Sequence, residues 1–134
     1  MTNYPLEIEG YCRLWEENFS PKKATGKTGI HFDRQNEPGE TGQTGRYKGT
    51  PVPYGNAEID FADVGSSADL LSPDAPILDM LEKHLSSFRT VGVTEAVLNV
   101  TVFYKNQCNL EQSHEFLKRL AGLGVALTIS CQQI

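Results

Sequence analysis

VTEAVLNVTVFYKNQCNLEQSHEFLKRLAGLGVALTISCQ, residues 93–132, decides the fold. Its first part, 93–104, is rich in β-branched and aromatic side chains, with apolar residues on both faces. That composition predicts a central strand, covered on at least one face. Lys105, Asn106 and Gln107 turn the chain, and Cys108, between Asn106 and Asn109, belongs to the same turn. Asn109 with Gln112 three residues on has capping-box spacing. Leu110, Leu117, Leu120 and Ala121, with Phe116 beside them, give the stripe of a helix. Gly122 supplies its left-handed stop. Residues 125–132 then alternate, which places Val125, Leu127, Ile129 and Cys131 inward on a final strand.

Upstream, the same two periods recur. Residues 5–17 alternate: Leu6, Ile8, Cys12 and Leu14 fall on one face, and Glu7, Glu9, Arg13 and Glu17, with Tyr11 and Trp15, on the other. Gly10 marks a bulge in this strand. Tyr11 and Trp15 on the polar face are expected to be covered by a helix or loop, since bare aromatics are uncommon, and the alternative is an aromatic binding surface. Ser20-Pro21 is a helix N-cap followed by proline at the first helical position, and Gly26 and Gly29 keep that helix short. Residues 56–62 form a second strand, with Ala57, Ile59 and Phe61 against Glu58, Asp60 and Ala62. Ser72-Pro73-Asp74 opens a helix whose stripe is Ile77, Leu78, Leu81, Leu85 and Phe88, with His84 packing at its boundary. The order is β-α-(long loop)-β-α-β-α-β. It predicts a single α+β domain over residues 1–134. Its sheet should be mixed or mainly antiparallel, of four strands or more, with about three helices packed on it.

The long loop, 33–55, reads DRQNEPGETGQTGRYKGTPVPYG. It holds five glycines (39, 42, 45, 49, 55) and three prolines (38, 51, 53) and almost no aliphatic side chains. Such a segment buries too little apolar surface to offset its ordering entropy, and long irregular loops are usually functional or disordered. A hairpin or an edge strand within it is the alternative. It also carries Arg46, Tyr47 and Tyr54, residue types that anchor interfaces.

Composition bounds the rest. Hydrophobic residues are 39% and charged residues 22%, a globular balance. The net charge is −5, with 10 acidic and 7 basic residues over 1–66 and 7 and 5 over 67–134. An acidic chain is a poor nucleic-acid ligand, because phosphates must be neutralised by Lys and Arg. It suits a basic protein partner better. No apolar run is long enough to span a membrane, and no secretory signal opens the chain, so the expectation is cytoplasmic. Three scattered cysteines (12, 108, 131) lack both a disulfide framework and zinc spacing, so reduced thiols and no metal or cofactor are expected.

Apparent motifs dissolve on inspection. TGKTG at 25–29 lacks phosphate-loop spacing and a following long helix, leaving Lys27 on the surface. Ser113, His114 and Glu115 are consecutive, so on a helix they point roughly 100° apart and form no triad. Glu58 and Asp60, with Asp63 beyond, share a strand face but gain no third ligand or partner histidine. No catalytic residue is assigned.

LDMLEKHL, LNVTVFY and NLEQSHEFLKRLAGLGVALTIS in the C-terminal part resemble a small bacterial domain-of-unknown-function family. NEPGETGQTGRYKGTPVPYGNAEI at 36–59 resembles a block of small bacterial hypothetical proteins. Some of these proteins resemble immunity proteins of polymorphic-toxin or contact-dependent growth-inhibition systems. The resemblance implies a bacterial cytosolic protein that binds another protein, without catalytic residues to carry over. On this reading the chain neutralises a toxin domain, such as a nuclease, by occluding its active site. Asp33, Glu37, Glu40, Glu58 and Asp60 would steer a basic partner, and Arg46, Tyr47 and Tyr54 would anchor it. Two alternatives stand beside it. One is a homodimer or other oligomer built on an exposed strand edge or on the loop. The other is a small-ligand-binding enzyme with 33–55 as lid, where Arg46 or Lys48 meets an anion and His31, Asp33 and Arg46 line a cavity.

Overall fold

The computed structural model describes residues 7–61 and 71–134. Leu6, Ala62 and Asp63 lie outside the described residues. The elements are β1 (Glu7–Glu16), α1 (Pro21–Thr28), β2 (Arg34–Asn36), β3 (Gly55–Phe61), α2 (Pro76–Thr90), β4 (Glu95–Tyr104), α3 (His114–Leu123) and β5 (Ala126–Gln133). The class is α+β, and the sheet has five strands in the order β2-β3-β1-β4-β5. It is mixed: β2 pairs antiparallel with β3, Arg34 opposite Glu58, while β4 runs parallel to β5, Leu98 opposite Leu127. Among the described residues, no helix is long and apolar enough to cross a membrane.

The chain packs as two compact units, 1–12, 60–83 and 97–134 in one, 13–59 and 84–96 in the other. In the first, Ile8 and Cys12 of β1 and Leu98, Val100 and Val102 of β4 are buried at alternate positions, the pleat expected from the sequence. Leu78, Leu81, Phe116 and Leu120 complete the apolar set from the helices. Gly10 allows close packing. A Cβ there would stand 2.3 Å from the ring of Phe61. Arg119 of α3 donates to Asp79 (2.7 Å) and Glu82 (2.6 Å) of α2 and to the Pro73 carbonyl (2.5 Å). Those two carboxylates raise its pKa.

Several helix limits depart from the sequence reading. α2 begins at Pro76, because Ser72 is spent on a turn in which its hydroxyl accepts from the Asp74 amide (3.2 Å). α3 is capped by Ser113, whose hydroxyl accepts from the Phe116 amide (3.2 Å), and not by Asn109. Its left-handed stop is Gly124, φ 71°, and not Gly122. With that phase Phe116 and Leu120 are buried, whereas Leu117 is 45% exposed. β5 is an edge strand, so Ile129 and Cys131 are exposed instead of inward. Alternation marks a face of a strand but not whether anything covers it.

In the second unit, Leu14, Phe19, Ala24, Ala57, Leu85, Phe88 and Val93 are buried. α1 has the expected ends: Ser20 accepts from the Lys23 amide, and Gly29 closes the helix at φ 77°. Lys27 donates to the Thr90 hydroxyl (2.8 Å) on the surface. Gly55 lets β3 pass the α1 approach, since a Cβ there would lie 1.7 Å from the Phe19 carbonyl oxygen.

Candidate functional site

The long loop is ordered by backbone pairing, not by apolar burial. Gly39 N–H donates to the Val52 carbonyl (2.7 Å), and Val52 N–H returns to Glu40 (2.7 Å). Gly42 N–H donates to Thr50 (2.8 Å), and Gly49 N–H to Gly42 (2.9 Å). This narrow ladder ends in a single 3-10 turn, Gly45–Tyr47. Gly39, Gly45 and Gly49 take φ of 86°, 68° and 76°, values that side-chain-bearing residues rarely adopt. Val52, 7% exposed, is the one apolar anchor of the ladder. The glycines that suggested disorder are therefore the turn residues of a hairpin-like arm. Its base is β2, the edge strand beside β3.

The arm carries its two tyrosines onto the second half of β1. Tyr54 meets Trp15 edge-on, with ring centroids 5.6 Å apart and planes at 66°. Tyr47 meets Tyr54 the same way, at 6.0 Å and 81°. These are the edge-to-face arrangements that aromatic quadrupoles favour. The Arg13 guanidinium lies 5.3 Å from the Trp15 ring and 5.8 Å from the Tyr54 ring, and that of Arg46 lies 5.6 Å from Tyr47. All three separations are in cation–π range.

Polar contacts fix the base of this stripe. Arg13 Nε donates to Asn56 Oδ1 (2.8 Å), and Asn56 Nδ2 donates to Glu58 Oε2 (3.3 Å). Glu58 also pairs with Arg34 Nε at 2.7 Å. Asn36 Nδ2 donates to the Tyr54 carbonyl (2.8 Å), which ties the arm's two ends together. The outcome is a continuous row, Arg46, Tyr47, Tyr54, Trp15, Arg13, Asn56 and Glu58. The three rings are half-buried, and the Arg46 guanidinium is exposed at its outer end.

The expected site residues separate into groups. Arg46, Tyr47 and Tyr54 come together as one surface. Glu58 joins it, but its side chain is only 19% exposed and is engaged by Arg34 and Asn56. Glu37 is taken up by the fold. Its carboxylate accepts from the Ser20 hydroxyl (2.5 Å) and the Lys22 amide (3.2 Å), which pins the arm to the start of α1. Asp33 and Glu40 are exposed at the arm's margin, where the Asp33 amide donates to the Glu58 carbonyl (2.9 Å). Asp60 is exposed on β3 and belongs to the other compact unit.

Arg13, Trp15, Asn36 and Asn56 are the members that sequence reasoning did not assign. Trp15 on a polar strand face was the available signal, since it required cover. Tyr54 provides that cover. Of the chemical groups considered for catalysis, Ser113 caps α3, and His114 and Glu115 pair on its exposed first turn at 3.3 Å. Among the described residues, no group of three or more His, Cys, Asp or Glu side chains is placed to hold a metal ion.

No protein-family model, no curated protein and no solved structure matches this chain.

Proposed function

We propose that this chain is a non-catalytic protein-binding module whose contact surface is the 36–56 arm and the β1 residues beneath it. The observation that carries this reading is the Trp15–Tyr54–Tyr47 ladder with a guanidinium at each end. Tyr, Trp and Arg dominate interface hot spots, because they bury large area at small entropic cost and keep a polar end. Here the arm's backbone ladder and the Asn36 and Glu37 ties hold them in place before binding, so little ordering entropy remains to be lost.

The finer form of the proposal is an immunity protein of a bacterial toxin system. The exposed Asp33 and Glu40 lie at the arm's margin, and the chain carries a net charge of −5. Those features favour a basic partner such as a nuclease domain, approached fast through its charge and blocked by the aromatic stripe. The test is capture from the source organism at moderate salt, using wild-type and Tyr47→Ala baits side by side. One stoichiometric partner with a basic domain, retained by wild type and lost by the variant, supports the proposal. Equal retention by both baits counts against the assigned surface.

Self-association is the second reading, favoured by one specific feature. β5 is an eight-residue edge strand with Ile129 37% exposed, and it is followed by Ile134, 61% exposed. An open edge of that length can pair with a second copy. A monomer mass by light scattering at high concentration would remove this reading.

A further inference from the structure

The sequence gives no reason to pair any two of the three cysteines, yet the fold brings two together. The Sγ atoms of Cys108 and Cys131 are 3.4 Å apart. Cys108 lies half-buried in the connector between β4 and α3, and Cys131 is exposed on β5. The third thiol, Cys12, is fully buried in β1, and burial pushes its pKa up to about 12. Such a thiol is inert to aqueous oxidants. We propose that Cys108 and Cys131 are a redox modification site, forming a reversible intramolecular disulfide on exposure to a low-molecular-weight disulfide.

The exchange balances as two displacements. The Cys131 thiolate attacks one sulfur of oxidised glutathione, and the first glutathione leaves as thiolate and takes up a proton. Cys108 then loses its proton and attacks the Cys131 sulfur of the mixed disulfide, releasing the second glutathione as thiol. Two protein thiols are oxidised to one disulfide, and one small disulfide is reduced to two thiols. The order follows from the contact. The Cys108 S–H donates to the Cys131 sulfur, and that hydrogen bond is the main cause holding Cys108 protonated. Cys131, exposed and on the accepting side, is therefore the attacking sulfur and Cys108 the resolving one.

The geometry asks for little rearrangement. The sulfurs must close from 3.4 Å to a bond of about 2 Å, within the reach of side-chain rotation. The two segments are already tied by Gln133 Nε2 to the Lys105 carbonyl (3.0 Å) and by Ile134 N–H to the Tyr104 carbonyl (2.8 Å). The new bond spans 23 positions of sequence and clamps the irregular connector onto the edge strand. A cross-link over such a loop lowers the freedom of the opened state, so local opening becomes rarer.

The experiment uses the full chain, treated with oxidised glutathione, quenched with acid and digested without reductant. The expected product is a single cross-link between the Cys108 and Cys131 peptides, lighter than the reduced pair by two hydrogens and reversed by dithiothreitol. Cys12→Ala should form the same link, and Cys131→Ser should form none. Amide exchange over 105–113 and 126–133 should slow by roughly tenfold or more in the oxidised protein. Separate glutathione adducts on Cys108 and Cys131, a cross-link between two chains, or any link through Cys12 would overturn the site. Unchanged exchange with the link in place would overturn the clamp.

Discussion

Tyr54 covers Trp15 edge-on at 5.6 Å, and this contact joins the glycine-rich arm to the first strand. Trp15 is the only tryptophan in the chain, so its fluorescence reports the contact directly. Tyr54→Ala should shift the emission to longer wavelength and raise its quenching by acrylamide. Loss of the ring contact and of its burial should cost about 2 kcal/mol in chemical denaturation. An unchanged emission maximum would mean that Trp15 is covered by something else.

Glu37 is predicted to act on stability and not on recognition. It accepts from the Ser20 hydroxyl and the Lys22 amide, which places a carboxylate at the N-terminus of α1. Negative charge there also complements the helix dipole. Glu37→Gln should lower stability by about 1 kcal/mol, and Ser20→Ala by a similar amount. The two losses should be less than additive in the double variant, because both remove the same contact. Full additivity would show that the pair does not interact.

Gly55→Ala should be among the most damaging single changes in the chain. The added methyl would stand 1.7 Å from the Phe19 carbonyl oxygen, a backbone atom that no rotamer change can move aside. A cost of roughly 3 kcal/mol or more is expected from the strand shift it forces. Gly26→Ala is the control, since a Cβ there meets nothing within 4 Å and the position is helical. That change should be neutral or slightly stabilising. Similar melting temperatures for the two variants would contradict the close approach of β3 and Phe19.

Glu16 links stability to acid. Its carboxyl accepts from the Thr94 hydroxyl and, less strongly, from the Glu17 amide, and these hold its pKa below the ordinary 4.5. A lowered folded pKa means that the unfolded chain binds its proton first as pH falls. The stabilisation is therefore present above 4.5 and is lost as pH drops through the lowered folded value. Thr94→Val removes the larger cause. Its denaturation midpoint should lie below wild type at about pH 7, and the gap should narrow as pH falls through the lowered folded value. A gap that stays constant across that range would show that Thr94 acts through packing alone.

The local parts of this fold were legible because their signals are local. Ser20, Pro21 and Gly29 bracket α1 through contacts within a few residues, and the alternation of Ile8, Cys12 and Leu14 survives intact. Competition between nearby equivalents was harder to read. Asn109 and Ser113 can both cap α3, as Gly122 and Gly124 can both end it, and the burial of Phe116 and Leu120 selects the later pair. Within 33–55 a hairpin or edge strand stood only as an alternative to disorder, because the order of the arm comes from backbone hydrogen bonds, which leave no mark in side-chain composition. The candidate site was half visible for a different reason. Tyr47, Tyr54 and Arg46 announced themselves by type, but Arg13 and Trp15 join them only through a long-range contact. The meeting of Cys108 with Cys131 is likewise a product of tertiary structure.

The most direct measurement is the affinity of the captured partner for wild type, Tyr47→Ala and Arg46→Glu, each first shown to retain the wild-type melting temperature. Tyr47 and Arg46 sit at the outer end of the ladder, in the 3-10 turn. Each change should weaken binding by about 2 kcal/mol, roughly 30-fold, mainly through faster dissociation for Tyr47→Ala. Unchanged affinity in both folded variants would contradict the assignment of this stripe as the binding surface.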